Sequence, residues 1–171
     1  MHLNNLKQQL MGKMMSIEST PIEWRLRSFA DLSVIELYSI LQLRQEVFVV
    51  EQACPYLDAD GEDDQAHHLM GFIDKQLALY TRLFYNPNST TSIIGRVIVK
   101  QTHRKLGLGY RLMTESERTC QQLYTPDRIT LGAQAHLESF YSNLGYTVYG
   151  DEYDEDGIPH LPMHKFIPRK V

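Results

Sequence analysis

The sequence predicts a mixed α/β domain built on one central sheet, and three observations lead there. From His68 onward the segments read strand, strand, strand, helix, strand, helix, strand, strand, the order of a sheet flanked by helices. Ser92 to Val99 is a nearly continuous apolar run, the pattern of a strand buried on both faces. The chain has 171 residues, 43% hydrophobic and 22% charged, an ordinary composition for a single globular domain with one sizeable core.

Each element has its own local cause. Ile22 to Leu26 alternates as a short strand. Ser33-Val34-Ile35-Glu36 is a capping box, in which the hydroxyl and the carboxylate satisfy each other's backbone N–H groups. Val34, Leu37, Tyr38 and Leu41 follow at helical spacing, and this helix should run to about Phe48. A turn-rich acidic stretch comes next, with Asp58, Asp60, Glu62, Asp63 and Asp64 in seven residues. His68 to Ile73 and Gln76 to Tyr85 read as strands joined by a tight hairpin at Asp74-Lys75. Asn86-Pro87-Asn88-Ser89 is a turn before the apolar strand. Gly107 to Tyr124 is a helix with Leu112, Met113, Ser116, Cys120 and Leu123 on one side. Arg128 to Ala133 is a strand. Leu137 to Leu144 is a short helix, with Gly145 where a left-handed cap is usual. Tyr146 to Tyr149 and His164 to Ile167 close the chain as strands around an Asp156-Gly157 turn.

Charge and composition remove several function classes. No apolar run approaches the ~18 residues of a membrane helix, so no membrane partner is expected. Net charge is −4, whereas a dedicated nucleic-acid binder is usually basic. Two cysteines, Cys54 and Cys120, do not make a disulfide framework and point to a reducing, cytoplasmic setting. Residues 1–20 have neither the apolar stretch and cleavage site of a signal peptide nor the arginines of a transit peptide. They read as a flexible N-terminal extension, and residues 21–171 as the folded domain.

Chemistry concentrates between Arg96 and Met113, where a buried strand leads through a short loop into a glycine-rich helix start. Glycines let backbone N–H groups approach a ligand, and a helix N-terminus adds unpaired donors and a positive dipole end. Together these suit a pyrophosphate. The spacing is not a dinucleotide fingerprint, because the third glycine position holds Leu112, and no Gly-Lys-Ser/Thr of a P-loop follows. On spacing alone, a ligand-free glycine-rich junction explains it equally well.

Other segments decide between the two. Arg104-Lys105-Leu106-Gly107-Leu108-Gly109 resembles the R/Q-x-x-G-x-G/A signature of the GCN5-related N-acetyltransferases (GNAT). Phe140-Tyr141 followed by Gly145-Tyr146 resembles that superfamily's later FYxxxGF pattern, with tyrosine in the last slot. Three further segments look like its ElaA-like branch: Leu43-Arg44 through Val47, Glu51-Gln52, Cys54-Pro55-Tyr56 and Asp58-x-Asp60-Gly61; Leu131 through Gln134-Ala135-His136; and Glu155-Asp156-Gly157 to His160. The likeness spans about Trp24 to Phe166. It implies a single-domain GNAT fold with a mixed, mostly antiparallel central sheet, flanked by helices and splayed between the two strands that hold acetyl-CoA.

The resemblance also implies roles. Arg104, Lys105, Leu106, Gly107, Leu108 and Gly109 would bind the pyrophosphate of acetyl-CoA. The backbone of Val97, Ile98 and Val99 would pair with its pantetheine arm, with Phe140 alongside, and a strand N–H would polarise the thioester carbonyl. Tyr141 would protonate the departing thiolate; without the resemblance it reads as a core aromatic. The base is open among Glu51, His68, His136, Glu152 and His160, with Glu51 and His160 taken forward. The acceptor would be a primary amine, on a neutral or a cationic molecule, attacking directly in a ternary complex. The acidic stretch is either a solvated loop or a rim that concentrates such a cation.

Rival readings have less behind them. The calcium-loop likeness at Asp58-x-Asp60-Gly61 fails, because its glycine comes too early and Leu69 stands where the bidentate Glu belongs. His160 and His164 have metal-ligand spacing, but Pro162 prevents a helix there, so no metal is expected. Cys54 has no nucleophile motif around it and reads as a small buried thiol. A CoA-binding but degenerate acetyltransferase acting as a sensor, and a small acidic interaction domain, stay as alternatives. The sequence leaves a homodimer open.

Overall fold

In a computed structural model of the chain, which describes residues 20–168, the elements are β1 (Glu23–Ser28), α1 (Val34–Arg44), β2 (His67–Ile73), β3 (Gln76–Asn86), β4 (Thr91–Val99), α2 (Leu108–Tyr124), β5 (Arg128–Gln134), α3 (Glu138–Ser142), β6 (Thr147–Val148), β7 (Tyr153–Glu155) and β8 (Ile158–Phe166). The expected extension at residues 1–20 lies outside the described residues except for Thr20, whose carbonyl accepts from Arg111. The strands form one sheet in the order β1-β2-β3-β4-β5-β8-β6, with β7 paired to β8. Only β4 and β5 run parallel, because α2 carries the chain back between them as a βαβ crossover.

Local chemistry sets these elements. The capping box at the start of α1 is formed, with Ser33 Oγ accepting from Glu36 N and Glu36 Oε2 accepting from Ser33 N. Past Arg44 the helix continues to Glu51 in a wider π-helical form, closed by bonds from Gln52 N to Val47 O and Cys54 N to Val49 O. It therefore ends three residues beyond the expected Phe48. Asp74 and Lys75 both take positive φ, as a two-residue hairpin turn requires.

Leu79 and Tyr80 are neighbours in β3 and fall in opposite clusters, so α1 and α2 cover opposite faces of the sheet. Leu79 packs with Leu108 and Leu112 of α2; Tyr80 packs with Ile40 and Leu43 of α1. Leu83, Ile94, Ile129 and Leu131 continue the α2 side with Met113 and Cys120.

Several expectations are corrected. Ile93 is 41% exposed, so β4 is not buried on both faces along its length; Ile98 is its apolar residue packed on the α1 side. Leu123 is exposed, and Glu117 and Thr119 take its place among the buried residues of α2. The helix expected over 137–144 is shorter, a 3-10 turn at Ala135–Leu137 followed by α3. The last strand is longer than expected and begins at Ile158.

The acidic loop is neither a free rim nor a solvated surface along its whole length. Asp58 is buried and accepts from Arg44 Nε at 2.6 Å, Arg96 Nε at 2.7 Å and Tyr56 Oη at 2.8 Å. Asp63 accepts from Arg44 and Arg82, and Asp60 takes a bidentate pair from Arg82. Three arginines from α1, β3 and β4 thus balance three aspartates of one loop, leaving Glu62 and Asp64 outside this network. The fully buried ring of His68 joins it, with Nδ1 accepting from Tyr80 Oη and Nε2 donating to Asp63 O. Burial holds His68 below its ordinary pKa.

Burial alone would raise Asp63, but hydrogen bonds and charges from Arg82 and Arg44 outweigh it and hold the carboxyl low. The hydrogen bond from Arg82 is the main cause of the same downward shift at Asp60. As pH falls, the unfolded chain therefore takes up protons before the folded one does. The stabilisation is complete above about pH 4 and is lost progressively below it. Arg44→Ala removes a fully buried partner of two carboxylates and should cost ~3–5 kcal/mol at pH 7. Urea titrations should show this penalty shrinking below about pH 4; a penalty constant with pH would contradict the charge assignment.

Candidate active site

The parallel strands separate early. β4 and β5 are in register only where Thr91 to Ile93 face Arg128 to Thr130. Beyond that, β3 keeps hold of β4 as far as Val99, while β8 keeps hold of β5 as far as Gln134. Each strand follows its own outer neighbour, and a wedge opens toward their C-terminal ends. Crevices beyond the carboxyl ends of parallel strands are where α/β folds commonly take ligands.

The loop between β4 and α2 forms one wall. Gly107 is the N-cap of α2 with φ +70, and no side chain caps this helix start. A side chain at that φ would be strained, and the first N–H groups of α2 are left to whatever enters the wedge. Lys105 and Leu106 are exposed at the loop tip, whereas the Leu108 side chain turns into the core. Val97 and Val99 pack on the α2 side, and Ile98 on the α1 side.

The helix after β5 forms the other wall. A Cβ on Gly109 would stand 3.3 Å from the Phe140 ring, so α2 and α3 meet through that glycine. Phe140 packs on Tyr110 and Tyr141, and Tyr141 on Tyr146, with ring centroids 4.8 to 6.1 Å apart. Tyr141 is 5% exposed, and burial pushes its phenol up to about 12. Gly145 at φ +89 closes the segment, with Tyr146 N donating to Tyr141 O.

The end of the π turn spans the wedge. Glu51 accepts from both terminal nitrogens of Arg104, at 2.5 and 2.9 Å, and Arg104 Nε donates to Val99 O at 2.9 Å. The adjacent Gln52 accepts from Gln134 at 3.2 Å. Residues 51 and 52 therefore tie the ends of both diverging strands. His160 lies opposite Gln134 across β8 and β5. Its Nδ1 donates to Ile158 O, which leaves Nε2 as an acceptor, and its ring stacks on Tyr153.

The other base candidates are not gathered here. His68 is enclosed by Tyr80 and Asp63, His136 is exposed in the turn directly after β5, and Glu152 is exposed. Cys54 is buried, its thiol donating to Asp156 O at 3.2 Å. A cavity of about 530 Å³ opens between α1 and the β2–β3 hairpin, with Glu46 and Lys100 in its lining. Among the described residues no helix is long and apolar enough to cross a membrane, and no cluster of three His, Cys, Asp or Glu is placed to hold a metal.

Sequence reasoning missed Arg44, Arg82 and Arg96. Arg44 falls between Leu43 and Val47 on a buried face, and Arg82 between Thr81 and Leu83. A charge inside an apolar run signals a buried partner.

A family model described as an acetyltransferase (GNAT) domain matches residues 39–167. The chain belongs to the GNAT acetyltransferase family. Within it, the protein ElaA of Escherichia coli is 41% identical over 149 residues, covering 85% of this chain and 97% of that one. The ElaA crystal structure superposes with a TM-score of 0.79 at 40% identity, over 85% of this chain and 99% of that one. An acyl-CoA N-acyltransferase from Pseudomonas aeruginosa gives 0.78 at 41% identity, over 84% and 99%. A more distant aminoglycoside 6'-N-acetyltransferase complexed with coenzyme A shares the fold, with a TM-score of 0.67 at 17% identity over 86% and 99%. The wedge between β4 and β5 is thus the splay expected of a GNAT sheet, and the chain belongs to the ElaA-like branch of the family.

The Gly109–Phe140 approach gives a test of how the walls meet. Gly109→Val should push the ring away and lower stability by ~1–3 kcal/mol, as overpacking does. Denaturant midpoints measure the loss, and an unchanged midpoint would mean that the walls part freely.

Proposed function

We propose that this chain transfers an acetyl group from acetyl-CoA to a primary amine by direct attack in a ternary complex. The observation that carries the reading is the meeting, at Gly109 and Phe140, of the helix left uncapped at Gly107 and the segment that holds the buried phenol of Tyr141. The N–H groups around Gly107, Leu108 and Gly109 suit a pyrophosphate, with Arg104, Lys105 and Leu106 shaping the loop around it. The Val97–Val99 backbone suits an amide-bearing arm, and Phe140 lies beside it. The supporting comparisons are an acyl-CoA N-acyltransferase at 41% identity and a CoA complex of the same fold.

In this reading Tyr141 is a donor and never a base at neutral pH. A phenol near 12 lies roughly three and a half pH units above a thiol of about 8.5. Complete proton transfer to the leaving thiolate is therefore uphill. The favourable role is a hydrogen bond to sulfur that strengthens as the C–S bond breaks. His160, opposite Gln134 at the end of β5, keeps Nε2 as an acceptor and suits the proton lost by the amine. Glu51 is committed to Arg104; it becomes available as a base when an entering phosphate takes that guanidinium. Neutralisation of Asp58, Asp60 and Asp63 by arginines leaves Glu62 and Asp64 as the loop carboxylates free to attract a cationic acceptor. The working unit is residues 21–171, and a reducing cytoplasm suits its two free, buried cysteines.

Two variants test the assignment. Gly107→Glu places a side chain and a negative charge where phosphate meets backbone, so calorimetry should show acetyl-CoA affinity reduced at least ~10-fold in a folded protein. Unchanged affinity would remove the site. Tyr141→Phe keeps the ring packing and should lower kcat by ~10²–10⁴-fold, read as thiol release against an amine panel. Acetyl-CoA affinity should stay near wild type. Binding of acetyl-CoA without thiol release from any amine would favour the sensor alternative.

A further inference from the structure

We infer that Arg96 is a positioning residue, which holds a β-bulge in β4 that orients the strand segment facing acyl-CoA. This inference rests on the acyltransferase reading above. Between Tyr80↔Ile98 and Arg82↔Gly95 the register of β3 and β4 shifts, so Arg96 and Val97 together oppose the single residue Thr81. Arg96 sits in the bulge with φ +50, a left-handed conformation that side-chain-bearing residues rarely adopt.

The packing shows what the extra residue does. In a regular strand, residues 94 and 98 would share a face. Here Ile94 packs with Met113 and Cys120 of α2, while Ile98 packs with Ile40 and Leu43 of α1. The bulge reverses the two faces of the strand. It does so just past Ile93, where pairing with β5 ends. Arg96 and Val97 thus lie just beyond the closed end of the wedge, where β4 no longer pairs with β5. They are placed to meet a thioester and the arm that carries it.

The side chain of Arg96 supplies the force that keeps this backbone in place. Its Nε donates to Asp58 Oδ1 at 2.7 Å and its Nη2 to Asp60 Oδ2 at 3.3 Å. The guanidinium carbon lies 5.7 Å from the Phe48 ring centre and 6.0 Å from that of Tyr56. Asp58 and Asp60 retain Arg44 and Arg82 as partners when Arg96 is removed, so a loss of the Arg96 side chain need not unfold the loop. The anchor and the backbone conformation are therefore separable. Alanine keeps the steric cost of φ +50 and loses the anchor. Glycine loses both.

The experiment compares Arg96→Ala and Arg96→Gly with the wild-type chain. It measures acetyl-CoA affinity by calorimetry, thiol release with the best acceptor from an amine panel, and amide exchange at Val97 and Ile98. The left-handed penalty is worth roughly 5- to 30-fold in the population of the bulge. Arg96→Ala should lower kcat/KM by about that factor and speed exchange at Val97 and Ile98. Arg96→Gly should recover most of the loss despite removing the same charge. If both variants lose activity equally, Arg96 acts through its charge and the inference falls. If both keep wild-type activity, the bulge needs no anchor and it falls likewise. A wild-type chain that binds no acetyl-CoA overturns the acyltransferase reading itself, and this inference with it.

Discussion

Six charged side chains in and around the interior determine where the mobile-looking parts of this sequence come to rest. Arg44, Arg82 and Arg96 project from three different elements, and a single loop supplies Asp58, Asp60 and Asp63 to meet them. Ions this deeply placed are costly to desolvate, and each is tolerated because the others are there. The result is directional in a way that an apolar contact is not. A guanidinium offers donors in a fixed plane, so the loop can be seated in one register only. The first helix, the central hairpin and the strand at the wedge are thereby referenced to one another through a segment with no regular structure of its own.

The wedge follows from topology rather than from any strained residue. A parallel pair lying between antiparallel neighbours is held from outside on each side, and it parts where its own register ends. That leaves a gap with backbone on both walls. The two connections leaving it, one glycine-rich and one aromatic, come together where Gly109 lets the Phe140 ring close. A cleft made in this way has rigid walls and a soft entrance, because its lips are loops and its sides are ladders. Glu51 and Gln52 cross the entrance and limit how far it can spread.

The fold was largely legible from periodicity and punctuation. The capping box at Ser33, the hairpin at Asp74-Lys75, the helix after Gly107 and the cap at Gly145 are all local signals, and all are in place. What periodicity could not show was any arrangement that depends on distant partners. The five clustered acids read as a surface because the arginine partners of three of them, Asp58, Asp60 and Asp63, lie 14 to 38 residues away in sequence. The bulge at Arg96 was hidden for a related reason. Ile-Ile-Gly-Arg-Val-Ile-Val looks like a strand buried on both faces, and composition does not reveal that its faces exchange half-way. Of the candidate site, the glycine loop and Tyr141 were readable as motifs. The engagement of Glu51 with Arg104, and of Gln52 with Gln134, joins segments 53 and 82 residues apart that no local pattern links.

The π turn at Gln45–Glu51 sets chain length against helix register at one place. A π turn holds one residue more than an α turn, so losing a single residue there would let an ordinary helix run through with its flanking residues still in phase. The same loss within Val34–Arg44, where no extra residue is stored, would rotate everything downstream by about 100° around the helix axis. Glu51 and Gln52 would then leave the entrance of the wedge, and Asp58 would swing away from Arg44. Descendants of this sequence should accept a one-residue gap between residues 45 and 51, or around Asn86–Ser89, far more readily than one between residues 34 and 44.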